Sequence, residues 1–160
     1  MKKIAIIMGS QSDLETVQGA IDILKEFKLT ADVKVLSAHR TPKELAAYVE
    51  NASKSGTKVF IAAAGGAAAL AGVIAAHTTL PVIGIPIETT SLKGMDSLLS
   101  TVQMPAGIPV ASMAIGKAGA KNAALFALEI LATSDKKING LLVKYKKDMA
   151  DKIKKIKIKI

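Results

Sequence analysis

The apolar positions of this 160-residue chain fall into two kinds of run. Short, mainly apolar stretches at residues 4–8, 33–37, 59–63, 81–85 and 110–115 have the length and composition of strands buried in a parallel sheet. Between them lie longer stretches with helical spacing. One follows Gly9-Ser10-Gln11-Ser12-Asp13 and reaches about Phe27; a second runs over 42–55 and stops at Gly56; a third leaves an Ala-Gly turn and ends at Ala76. A short helix is expected from Gly94 through Thr101, and an Ala-rich one after the turn at 116–119, ending near Ala132. From Asp135 the pattern is amphipathic, with Met149, Ile153, Ile156 and Ile160 on one face, and the final Lys-Ile alternation reads equally as strand or as a frayed end. Five strands alternating with helices predict a single α/β domain over 1–160. Its architecture is expected to be a three-layer α/β/α sandwich, with a parallel five-stranded flavodoxin-like sheet in the order 2-1-3-4-5 and a C-terminal helix at about 135–160.

Local signals sharpen some boundaries. Thr41 suits a helix N-cap, Pro42 the first helical position, and Glu44 completes a capping box; Ser12 and Glu15 are spaced for a second one. The helix after Ala64-Gly65-Gly66-Ala67-Ala68-Ala69 is apolar all round, so it predicts cover from a neighbouring subunit and hence an oligomer. His77 at its end suits a structural cap that complements the helix dipole. Pro105, Gly107 and Pro109 make residues 103–109 a stiff excursion, suited to an active-site wall or a subunit contact.

Charge changes the picture less than its total suggests. The net charge is +9, yet residues 1–135 hold 12 basic against 11 acidic side chains, and residues 136–160 hold 10 Lys against 2 Asp. The excess therefore belongs to the C-terminal helix, and with two Tyr, three Phe and no Trp there is little surface for base stacking. No nucleic-acid partner is expected. Cys is absent and His occurs only twice, which excludes thiolate chemistry and argues against a metal site. The uncharged run between Lys58 and Glu88 is broken by Gly65-Gly66, Pro81 and Pro86, so it reads as sheet and helix, with no membrane partner. The N-terminus lacks the pattern of a signal peptide, and a cytoplasmic location is expected.

Candidate chemistry concentrates where strands should end. In parallel α/β sheets ligands bind outside the carboxyl ends of the strands, and Ser37-Ala38-His39-Arg40-Thr41-Pro42 stands at such an end. Arg40 offers a permanently charged donor fork for phosphate, and His39 can exchange a proton near neutral pH. The same residues also suit a plainer role, with Ser37 and His39 bonded locally and Arg40 solvated. Gly9 to Asp13 adds hydroxyls and free backbone donors at a helix start, fit for an anion, while Asp13 suits a sugar hydroxyl. That segment is neither a Walker A loop nor a dinucleotide fingerprint.

Taken together, Gly9-Ser10-Gln11-Ser12-Asp13, the Ser37 to Pro42 hexapeptide, Ala64-Gly65-Gly66-Ala67-Ala68, Leu80-Pro81-Val82-Ile83-Gly84 and residues 96–111 closely resemble the class I PurE family. These are the N5-carboxyaminoimidazole ribonucleotide mutases of purine biosynthesis. The resemblance implies transfer of a carboxylate from the exocyclic nitrogen to ring carbon C4, through carbon dioxide released and recaptured in a closed site, with no metal or organic cofactor. It implies His39 as the general acid/base, Ser10 and Asp13 as contacts to the ribose phosphate, and Arg40 as the phosphate ligand. Ser12, Ser37, Gly65 and Ala67 resemble further pocket residues. A homo-octamer with sites near subunit interfaces is implied as well. One departure stands out: members usually read AAHLPG, whereas this chain has Ala69 and Ala71 in place of that His and Pro. Ala69 can offer no hydrogen bond to a carboxylate or to carbon dioxide. Two rival readings stay open: a class II relative that carboxylates aminoimidazole ribonucleotide directly, and a nucleotide-binding module without turnover.

Overall fold

The computed structural model describes residues 2–158. Its centre is a parallel sheet in the order β2-β1-β3-β4-β5, made of β1 (Ile4–Met8), β2 (Ala31–Val35), β3 (Val59–Ala64), β4 (Val82–Pro86) and β5 (Ala111–Ser112). β1, β3 and β4 are buried almost along their whole length. A charged side chain there would lose its hydration without a partner, which is why these strands contain none. Successive strand residues point to opposite faces. On one face Ala5, Ile7, Phe60, Ala62 and Val82 pack with Leu45, Val49 and Ala52 of α2 (Pro42–Lys54) and with Leu70, Ala71 and Ile74 of α3 (Leu70–Ala76). The opposite alternation, Ile4, Ile6, Ile61 and Ile83, is equally buried. α1 (Leu14–Glu26) and α5 (Gly116–Ala132) meet at Gly19, where an added Cβ would come within 3.3 Å of Lys121 Cγ. The fold is the expected three-layer flavodoxin-like one.

The chain forms two compact units, the first ending at Ala127 and the second starting at Leu128. The second contains the end of α5 and α6 (Lys136–Lys154). Asp135 caps α6 by accepting hydrogen bonds from the Lys137 and Ile138 amides. Its apolar stripe starts buried, at Ile138 and Leu142, and continues exposed through Met149 and Ile153. The helix stops at Lys154, short of the expected end near 160, so Ile156 follows it and Ile160 lies outside the described residues. Lysines at 152, 154, 155 and 157 crowd that end with like charge, which opposes extension.

Several boundaries differ from those the pattern predicts. β2 begins two residues earlier, pairing Ile4 with Ala31 and Met8 with Val35. As an edge strand it is half exposed, so Asp32 and Lys34 are tolerated within it and its ladder does not follow the apolar run. The Tyr48 hydroxyl of α2 donates to Asp32 at 2.8 Å and ties that edge to the helix. β5 shrinks to two residues. Pro109 brings no amide to a ladder, and α5 starts at Gly116 itself, whose φ of +75° turns the chain before any further pairing. Neither expected capping box forms. The Thr41 hydroxyl accepts from the Ser37 amide at 2.8 Å and donates to the Ser37 carbonyl at 3.1 Å, leaving Pro42 alone to mark the start of α2. The box at the first helix instead joins Ser10 to Asp13 around a short 3-10 turn, Gln11–Asp13.

α3 is covered over Leu70, Ala71 and Ile74, half covered over Gly72 and Val73, and open at Ala76. Part of its cover comes from the chain itself, since the Met104 sulfur would lie 3.1 Å from a Cβ at Gly72. α4 (Met95–Val102) packs still more closely. A Cβ added at Gly84 of β4 would overlap Cγ2 of buried Thr101. Gly84→Ala is therefore expected to destabilise the protein by about 1–3 kcal/mol in chemical denaturation, the usual cost of an overpacked core. Adding Thr101→Ser, which deletes the obstructing methyl and keeps the hydroxyl, should recover most of the loss. Equal stabilities for wild type and Gly84→Ala would contradict this packing.

Candidate active site

The carboxyl ends of β1, β2, β3 and β4 open into one cavity of about 570 Å³. Its β1 side is the cap just described. The Ser10 amide donates to Asp13 Oδ2 at 3.1 Å, and the Ser12 hydroxyl donates to Ser10 Oγ at 2.9 Å and to Asp13 Oδ1 at 3.4 Å. Gly9 continues the sheet, its amide donating to the Ala63 carbonyl at 3.0 Å. The segment is thus anchored at one end by the ladder and at the other by its own helix start.

The β2 side is a closed turn. The Thr41 amide donates to the Ser37 carbonyl at 3.0 Å, and the Arg40 amide donates to Ser37 Oγ at 3.2 Å. Arg40 then reaches across, Nη2 donating to the Gly9 carbonyl at 2.9 Å. This bond joins the β1 and β2 loops and leaves Nη1 without a partner among the described residues. The His39 imidazole is exposed and makes no hydrogen bond among the described residues. It is therefore available to a ligand.

The β3 side is a floor of small groups: Ala64, Gly65, Ala68 and Ala69, with Leu70 beyond. Gly66 adopts φ +65°, and buried Ala68 adopts φ +35°, a conformation seldom accepted by a residue with a Cβ. The turn is held from outside the cavity. The Ser97 hydroxyl of α4 accepts from the Gly66 amide at 3.1 Å and donates to the Ile87 carbonyl at 2.7 Å. One buried hydroxyl thereby fixes the turn after β3 to the loop after β4.

Of the residues expected at the site, Ser10, Ser12, Asp13, Ser37, His39, Arg40 and Gly65 all line this cavity. Ala67 does not; it is exposed in the same turn, where the reversed backbone at Gly66 and Ala68 carries it away from the lining. Ile87, Glu88 and Thr89 were not expected. They carry no motif, and only the rule that ligands sit at strand carboxyl ends, applied to β4 as well as β2, points to them. His77 stands apart at the end of α3, its Nδ1 3.2 Å from Glu50 Oε1, and lines a different cavity. It does not replace an imidazole at Ala69. Among the described residues no cluster of three His, Asp or Glu could hold a metal, and no helix is long and apolar enough to cross a membrane.

Residues 3–152 match the AIR carboxylase family. The chain is 50% identical over 151 residues to the N5-carboxyaminoimidazole ribonucleotide mutase of Escherichia coli K12, which covers 94% of this chain and 89% of that protein. It is 54% identical over 149 residues to the mutase of Pyrococcus abyssi, covering 93% and 84%. It is 58% identical over 132 residues to that of Bacillus subtilis, covering 82% of each. Among solved structures, Treponema denticola PurE superposes with a TM-score of 0.85 at 29% identity, covering 94% of this chain and 92% of that one.

Asp13 carries the electrostatic cost of the site. Burial pushes its carboxyl above the ordinary value, against the lowering pull of the Ser10 amide, the Ser12 hydroxyl and Arg40. An acid raised in this way holds its proton more tightly when folded, so stability falls as pH rises from the ordinary carboxylate range through the raised value. The cost persists at neutral pH. Asp13→Asn is accordingly expected to melt no lower than wild type near neutral pH, with the difference vanishing in acid. A lower melting temperature for the variant at neutral pH would contradict this assignment.

Proposed function

The chain belongs to the AIR carboxylase family, and on that footing we propose that it is an N5-carboxyaminoimidazole ribonucleotide mutase, an isomerase of purine biosynthesis. One observation carries the reading. A single cavity joins a guanidinium with a free donor, three serine hydroxyls, a carboxylate and an unpartnered imidazole. The relatives named for this reaction, at 50 to 58% identity, support it from the side of sequence.

The roles follow from the chemistry of each group. Arg40 has its planar fork held at Nη2 by the Gly9 carbonyl and at Nε by Ser37 Oγ, so its remaining donors are already oriented for a phosphate. The Ser10 and Ser12 hydroxyls and the donors at the start of the 3-10 turn complete that anion site. Asp13 accepts from the ribose hydroxyls. With the ribose phosphate fixed, the heterocycle lies over the small-residue floor beside His39. The floor excludes water from one face of the ring without competing for its hydrogen bonds.

His39 then serves twice. As imidazolium it gives a proton to the exocyclic nitrogen as the nitrogen–carboxylate bond breaks and carbon dioxide leaves. As imidazole it later takes the proton from C4 once that carbon has captured the carbon dioxide. No proton is gained or lost overall, and no cofactor takes part. Holding carbon dioxide between the two steps requires a covered site, and a homo-octamer with its sites at subunit boundaries would supply the cover, in the cytoplasm where the substrate would be made.

Purified protein should convert N5-carboxyaminoimidazole ribonucleotide to the C4-carboxylated product without ATP or added bicarbonate, faster than background. His39→Asn should lower turnover by at least a hundredfold, about the contribution of a positioned acid/base, while keeping ribonucleotide affinity. Arg40→Ala should mainly raise KM. Binding without conversion by wild type would favour the binding-module reading, and turnover only with added bicarbonate the carboxylase one.

A further inference from the structure

The cavity has one charged side chain that the roles above leave unused. Its hydroxyls, guanidinium, imidazole and first carboxylate come from the loops after β1 and β2, while the β3 side is Ala, Gly and Leu. From the β4 side come Ile87, which is apolar, Thr89, and Glu88. The Thr89 hydroxyl is committed, donating to the two oxygens of Asp96 at 2.9 and 3.0 Å. Glu88 makes no hydrogen bond or ion pair among the described residues.

The backbone around Glu88 is firmly held. The Ile87 amide donates to the Ala64 carbonyl at 2.9 Å, and the Ile87 carbonyl accepts from Ser97 at 2.7 Å. Gly94, at φ +85°, lets the first turn of α4 close directly on this loop. A Cβ there would come within 3.2 Å of Glu88 Cα and 2.6 Å of Ile115 Cγ2. Both neighbours of Glu88 are therefore pinned to α4 or to the sheet, while Glu88 itself lines the cavity, exposed and without a hydrogen bond or ion pair among the described residues. β4 stands three strands from β2 in the sheet, about 14 Å at the usual strand spacing. With the phosphate held on the β1 and β2 side, the ligand's heterocycle is the part that extends toward Glu88.

We propose that Glu88 accepts a hydrogen bond from the amino group of the aminoimidazole ring and stabilises the positive charge that the ring develops as C4 captures carbon dioxide. The inference rests on the mutase reading. When the nitrogen–carboxylate bond breaks, its electron pair stays on the nitrogen, which takes the proton of His39. When C4 attacks carbon dioxide, a ring electron pair forms the new carbon–carbon bond, and the positive charge left behind spreads over the amidine nitrogens, the exocyclic amine among them. The C4 proton then returns to His39 and the charge is cancelled. A carboxylate facing that amine lowers the energy of the cationic state, and it opposes the substrate's carboxylate while that group is still on the nitrogen. Both effects act on kcat more than on binding. Ala69 offers no polar group to this part of the ring, so Glu88 is the side chain placed to supply one.

The test compares wild type with Glu88→Gln and Glu88→Asp, using N5-carboxyaminoimidazole ribonucleotide for turnover and aminoimidazole ribonucleotide for calorimetric binding. Glu88→Gln should melt like wild type, keep KM and ribonucleotide affinity within about threefold, and lose at least tenfold in kcat, the lower side of what one preorganised electrostatic group contributes. Glu88→Asp should fall between the two. A kcat for Glu88→Gln within twofold of wild type would overturn the proposal, as would a raised KM with kcat unchanged, which marks uniform binding. Wild-type protein that binds without turning over would overturn the mutase reading itself, a failure recognised before any variant is made.

Discussion

Burial on both faces is the constraint from which the rest of this protein follows. β1, β3 and β4 have no exposed side to which a charge could turn, so every residue between Ile4 and Met8 and between Val59 and Ala64 is apolar. Polar chemistry is displaced to the loops. Because the strands are parallel, their carboxyl ends all open on the same edge of the sheet, and four short loops there share one cavity. No single loop forms a site. Arg40 of the β2 loop is oriented by a carbonyl of the β1 loop, and Ser97 of α4 holds the β3 turn to the β4 loop.

The site is costly in the ways expected of function. Asp13 is buried with its carboxyl raised, so it opposes folding at neutral pH, and two serine donors only partly offset this. Ala68 keeps a positive φ although it carries a Cβ. Strain of this kind persists where the surroundings over-determine it, here through the Ser97 bridge and the packing of Leu70. The return is a smooth floor beneath the place where a flat heterocycle would lie, with a free imidazole on one side and a free carboxylate on another.

Much of this was legible in the sequence. The apolar runs at 4–8, 59–63 and 81–85 identify the inner strands, and the sheet order is the one expected as the economical arrangement of five strands alternating with helices. Seven of the eight site residues expected from motifs line the cavity. What could not be read follows from tertiary context. β2 is an edge, so its ladder follows pairing with β1 and not its own apolar residues. Thr41 has the identity of a helix cap but spends its hydroxyl on Ser37, and Ser10 takes the capping role assigned to Ser12. Ala67 matches its motif yet is carried outward by the positive φ values beside it. Glu88 belongs to no motif; its place in the cavity depends on Gly94 allowing α4 to close beneath its loop.

In the proposed reaction carbon dioxide passes between two positions of one bound ribonucleotide without leaving the cavity. This transfer is tested most directly by following N5-carboxyaminoimidazole ribonucleotide labelled with 13C in its carboxylate, with excess unlabelled bicarbonate, and measuring the label in the C4 carboxylate at early times. Transfer within the cavity should leave most of the label in the product. A product carrying only unlabelled carboxylate would mean that the enzyme draws its carbon dioxide from solution, and would contradict it.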